Sequence, residues 1–78
     1  MPTEHNFAIV LEPLEEGGFL VLVPALPEVV TQGKTEAEAM AMAEDAIRLA
    51  VDYRLEQGES LPAETSPQLR HLKVALSA

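Results

Sequence analysis

Hydrophobic and polar residues alternate over residues 6–12. Phe7, Ile9 and Leu11 fall on one side, Ala8, Val10 and Glu12 on the other, which is the two-residue period of a β-strand. The segment PLEEGG at 13–18 holds a proline and the pair Gly17–Gly18, a composition that suits a reversal with positive φ. The run FLVLV at 19–23 predicts a second strand, apolar on both faces, that closes a β-hairpin with the first. Pro24 and Pro27 lack the N–H a ladder requires and mark an end or an edge. The β-branched run Val29–Val30–Thr31 before Gly33 predicts a short third strand.

The period then changes to that of a helix. Thr35 can cap an N-terminus, and Glu38 three residues later completes a capping box. Glu36 and Glu38 stand where the helix dipole favours negative charge. Gly58 after Gln57 is a C-terminal stop, so the helix is expected over about 36–57. At 100° per residue, Ala39, Ala43, Ala46 and Ala50 form a centre line that lets the backbone approach a sheet closely. Met42, Leu49 and Tyr53 flank that line on one side; Met40, Ile47 and Val51 flank it on the other. Ala41, Glu44, Asp45, Arg48, Asp52 and Glu56 take the opposite arc. The apolar arc spans roughly 200°, wider than the ~100° stripe that one contact uses.

Residues 59–68, ESLPAETSPQ, form a polar linker with two prolines. Beyond it Leu72, Val74 and Leu76 alternate with His71, Lys73 and Ala75, which predicts a fourth strand over about 70–76. The expected architecture is therefore α+β: a β-β-β-α-β two-layer sandwich, mainly antiparallel, with one helix on one face and a right-handed crossover to the last strand. Residues 1–78 make one domain with its core at about 6–57. One helix covers one face of that sheet. Leu20 and Leu22 point to the other face, which either a second chain or the segment 59–78 must cover, because exposed apolar patches of that kind are uncommon on monomers. We expect a homo-oligomer, dimer or tetramer, with Leu20, Leu22, Met40, Met42 and Tyr53 as its surface or that of another partner.

Charge narrows the function classes. The chain has 78 residues with 13 acids against 5 Lys and Arg, a formal net charge of −8. Phosphate neutralisation requires clustered cations, so direct nucleic-acid binding is not expected and a basic partner is. There is no cysteine to form a disulfide or a thiolate metal site. No apolar run approaches the ~18–20 residues of a membrane span, and no basic cluster precedes an apolar stretch at the N-terminus, so a cytoplasmic protein without membrane contact is expected. Glu12, Glu15, Glu16, Glu44 and Asp45 are the carboxylates a two-metal nuclease would need, but Glu44 and Asp45 lie on the polar arc of the helix and read better as a solvated acidic face. His5 and His71 lack helical zinc spacing. Ser60, Ser66 and Ser77 stand in no nucleophile elbow. EEGG lacks the lysine and spacing of a phosphate loop. No catalytic residue, metal or cofactor is expected.

The order of these pieces resembles that of the HicB-like antitoxin family. The resemblance rests on Glu15–Glu16–Gly17–Gly18–Phe19 after the first strand, then Pro24-x-Leu26–Pro27, Thr31-x-Gly33-x-Thr35, Glu38–Ala39 and Ala46, with Gly58 and Pro62 at the exit from the helix. It covers about residues 6–62. Glu28 stands where the family usually has glycine, so the turn there does not demand positive φ, and Lys34 stands where an acid is common. The resemblance implies a partial ribonuclease-H-like fold without catalysis. It also implies an antitoxin that binds and blocks a small, basic, RNA-cleaving toxin of the HicA type. Many such proteins add a DNA-binding module; with about 20 residues after the helix, none is expected here. The alternative is a solitary oligomeric ligand-binding or scaffold protein with no toxin partner.

Overall fold

In a computed structural model, residues 4–77 are described. They form three strands and one helix in the order β1 (Val10–Pro13), β2 (Phe19–Leu22), β3 (Val30–Gly33) and α1 (Glu36–Glu56). The sheet is antiparallel with β2 in the centre, and the helix packs on β3 and β2. The architecture is α+β, as the sequence pattern implies.

The hairpin closes because two glycines supply backbone that other residues avoid. Gly17 has φ +100° and Gly18 φ +86°, and the turn is held by Leu14 N–H donating to Gly18 O at 3.0 Å and Gly17 N–H donating to Leu14 O at 3.0 Å. Register then pairs Leu11 with Val21 and Glu12 with Leu20. The ladder starts at Val10 and not at residue 6, because Leu22 is the last partner β2 offers and Pro24 beyond it has no N–H to donate. Phe7, Ile9 and Leu11 nonetheless pack against the core, so the alternation was expressed in packing where it was not expressed in pairing.

Between β2 and β3 the chain makes two successive turns, Leu26 N–H to Val23 O and Val29 N–H to Leu26 O, both 2.9 Å. They drop Leu26 and Val29 into the core with Val21, Val23, Ala39 and Ala43. Gly33 ends β3 directly beneath the helix. A Cβ there would stand 2.4 Å from Ala39 N, so the absence of a side chain sets how closely the helix meets the sheet.

The helix begins and ends as its sequence dictates. Glu38 N–H donates to Thr35 Oγ1 at 3.0 Å. The reciprocal bond runs from Lys34 N–H to Glu38 Oε1 at 3.2 Å, one residue earlier than a capping box places it. At the other end Gly58 has φ +82°; its N–H donates to Leu55 O at 3.0 Å and Glu59 N–H to Arg54 O at 2.9 Å, the paired bonds of a Schellman motif.

The fourth strand expected over 70–76, and with it the crossover, is not formed. Residues 59–77 carry no strand or helix. Leu72, Val74 and Leu76 remain 88%, 59% and 85% exposed. Alternation makes a segment compatible with a sheet, but a strand exists only when a partner supplies its hydrogen bonds, and this segment lies against none. The radius of gyration, 15.3 Å, reflects this; a compact chain of this length would have about 11–12 Å.

Candidate functional site

Surface chemistry is where this molecule departs from an ordinary small domain. All 13 carboxylates are exposed. Among the described residues, no three of His, Cys, Asp and Glu are grouped to hold a metal ion. Glu12 alternates with the half-buried Leu11 and lies on the open sheet face, whereas Glu44 and Asp45 lie on the outer side of α1. The carboxylates weighed as a nuclease set therefore occupy separate layers.

The five residues proposed as a contact surface divide among three places. Leu20 and Leu22 lie on the open sheet face with Val10 and Val30 beside them. Met40 lies on the flank of α1 nearer β1, in an open groove with Phe7, Ile9, Ile47, Val51 and Leu61. Met42 and Tyr53 lie on the opposite flank of α1. There Tyr53 and Leu49 line a shallow depression with Val29, Val30 and Ala50. Leu49 is 74% and Tyr53 61% exposed, so the wide apolar arc is only partly used by the sheet, through Ala39 and Ala43. Leu49 was read only as a helix flank; its place beside Val30 on the β3 side could not come from helical spacing, because it depends on which way the helix lies across the sheet.

One ion pair fixes this second flank. Arg54, in the last turn of α1, donates from Nε to Glu28 Oε2 at 2.9 Å and from Nη2 to Glu28 Oε1 at 2.8 Å. The two parallel bonds give a planar fork that ties the β2–β3 loop to the helix end. The Arg54 hydrogen bond, aided by a backbone bond, holds the Glu28 carboxyl below its ordinary range, and the same contact raises Arg54. Among the described residues no non-glycine has positive φ, so the turn at Glu28 is one that tolerates the side chain. Glu28 stands out in the sequence, but nothing local marks Arg54, 26 residues away, as its partner.

Gly17, Gly18, Gly33, Thr35, Glu38 and Gly58 all occupy the structural positions described above, and Pro24 and Pro27 each stand second in one of the two turns of the β2–β3 loop. They shape the frame. Among the described residues no helix is long and apolar enough to cross a membrane.

Comparison with known proteins adds a family. A family model described as HicB_like antitoxin of bacterial toxin-antitoxin system matches residues 7–74. The chain is 45% identical over 57 residues to Antitoxin HicB 1 of Photorhabdus laumondii, covering 73% of this chain and 37% of that protein. It is 43% identical over 57 residues to Antitoxin HicB of Escherichia coli K12, covering 73% of this chain and 41% of that one. A UPF0150 protein of Thermoplasma acidophilum is 32% identical over 64 residues, which is 82% of this chain and 93% of the relative. The chain thus spans about two fifths of the length of the two antitoxins and nearly all of the shorter relative.

Proposed function

Because the chain belongs to the HicB-like antitoxin family of bacterial toxin-antitoxin systems, we propose that it neutralises a small, basic, RNA-cleaving toxin of the HicA type by forming a direct complex with it. The observation that carries this is the exterior: every acid is exposed on a body that holds only Lys34, Arg48 and Arg54 up to residue 64. An anionic surface of that kind steers a cationic partner and rejects phosphate backbones. The contact is assigned to the flank of α1 with Met42, Leu49 and Tyr53, where apolar side chains with an aromatic anchor are rimmed by Asp45 and Glu56. Interfaces take their energy from such a centre and their register from such a rim. The role calls for binding and no chemistry by this chain, in the cytoplasm where the toxin meets RNA, without a nucleic-acid contact from this body. The open sheet face with Leu20 and Leu22 serves self-association as a dimer or tetramer.

The test is co-expression with a HicA-type toxin encoded beside it. Growth is expected to be restored, with co-elution of the two chains on a sizing column. Leu49→Asp combined with Tyr53→Ala is expected to abolish both while circular dichroism stays unchanged, since both side chains are exposed. Toxicity unrelieved by the parent chain, with no complex at low salt, overturns the proposal. It would favour the second reading, a solitary oligomeric scaffold or ligand-binding protein. That alternative rests on the Thermoplasma relative, a chain of similar length that matches over 93% of itself.

A further inference from the structure

The segment that fails to form a strand differs in charge from the rest of the chain. Every acid lies at or before Glu64, whereas residues 65–77 hold Arg70, Lys73 and His71 and no acid. The same segment alternates Leu72, Val74 and Leu76 with His71 and Lys73, and its apolar side chains find nothing to pack on. It leaves the body at a fixed point. Asn6 N–H donates to Glu64 Oε1 at 3.0 Å, and His5 Nδ1 stands 3.9 Å from the same oxygen. From there the chain extends, giving the molecule a long dimension of 54 Å against 26 and 19 Å.

The body offers the complementary feature. The helix packs on β3 and β2, and β1 is an edge strand, so the layer above β1 is left open. The groove there has an apolar floor of Phe7, Ile9, Ile47 and Val51 and carboxylates at Glu4, Glu44 and Asp52, of which Glu44 accepts from Arg48 at 2.8 Å. Beside it, His5 Nε2 is buried and, among the described residues, finds no hydrogen-bond partner. Unpaired edges and orphan buried polar atoms are both costly.

We propose that the basic, alternating segment 70–76 of one copy docks along β1 and into this groove of a second copy. Leu72, Val74 and Leu76 then face Phe7, Ile47 and Val51, as alternate residues of one strand do. Lys73 and His71 take the other face, the one that carries Glu12 in β1. Arg70 precedes the apolar trio on its own face and reaches the acidic rim. A second copy is the fitting occupant because its segment supplies cations for the groove carboxylates that are unpaired among the described residues, a two-residue period and apolar side chains that match the floor, while its own body leaves that segment uncovered. Exchange of an identical element is a low-cost route to assembly. This contact uses the β1 side of the molecule, and its test is separate from that of toxin binding on the other helix flank.

Lys34 and Lys73 are the two lysines of the chain, which makes carbodiimide coupling informative. Full-length chains labelled with 14N and 15N are mixed in denaturant, refolded together and coupled, and linked peptides are read by mass spectrometry. Links from Lys73 to Glu12, on the face it takes, are expected, about half of them joining the two isotopes. Leu72→Asp with Val74→Asp is expected to remove those links and lower the assembly mass in sedimentation, with circular dichroism retained. Lys73 links confined to one isotope would show the segment folded on its own body and overturn the inference; so would the absence of a Lys73 link to Glu12.

Discussion

At the scale of single residues, the glycines separate by what surrounds them. A Cβ on Gly33 meets backbone atoms of Ala39 at 2.4 and 2.6 Å, whereas one on Gly17 meets nothing within 4 Å and suffers only from φ +100°. Gly33→Ala must lift the helix from the sheet and is expected to cost ~3 kcal/mol, the upper part of the overpacking range. Gly17→Ala is expected to cost ~1 kcal/mol, the penalty for an L side chain at positive φ. Gly17→Asn should regain part of it, since Asn tolerates that region. Urea titration of the three variants checks the order; equal losses at both positions would show that the close approach at Gly33 has no energetic weight. Both glycines were visible in the sequence as turn or strand-end residues. The contact that distinguishes them was not, because it depends on the height of a helix over the sheet and no local pattern encodes that.

At the scale of elements, local chemistry was legible and long-range pairing was not. Thr35, Glu38 and Gly58 set the helix bounds from within a few residues, and the Gly17–Gly18 turn set the hairpin. The segment 70–76 was read as a strand from a correct alternation, but a strand is a relation between two segments and its partner was not a local property. The Glu28–Arg54 fork is of the same kind: neither residue alone points to the other, and together they join the β2–β3 loop to the last turn of α1. Its pH dependence has a definite sign. Arg54 lowers the Glu28 carboxyl from its reference value of 4.5, so the folded state binds this proton more weakly than the unfolded chain does. The resulting stabilisation is fully present above about pH 4.5 and is lost as pH falls through the lower folded value. The raised Arg54 value contributes only far to the alkaline side. Glu28→Gln should therefore melt below the parent at pH 7, and the gap should narrow at pH 3. A gap independent of pH would mean that the side chain acts through packing alone.

At the scale of the whole molecule, one helix cannot cover both faces of a sheet whose middle strand is apolar on both. The residues left over, Leu20 and Leu22 on one face, Leu49 and Tyr53 on one helix flank and Met40 on the other, point in three directions. The off-centre seat of α1 over β2 and β3 keeps the two flanks apart, so filling one leaves the other vacant. Recruitment of guest and recruitment of sister chains are then additive, not competitive. Calorimetric titration should saturate at one guest per chain whatever the size of the assembly, so that growth of the cluster multiplies its capacity. A ratio that falls as the cluster grows would place both encounters on common ground.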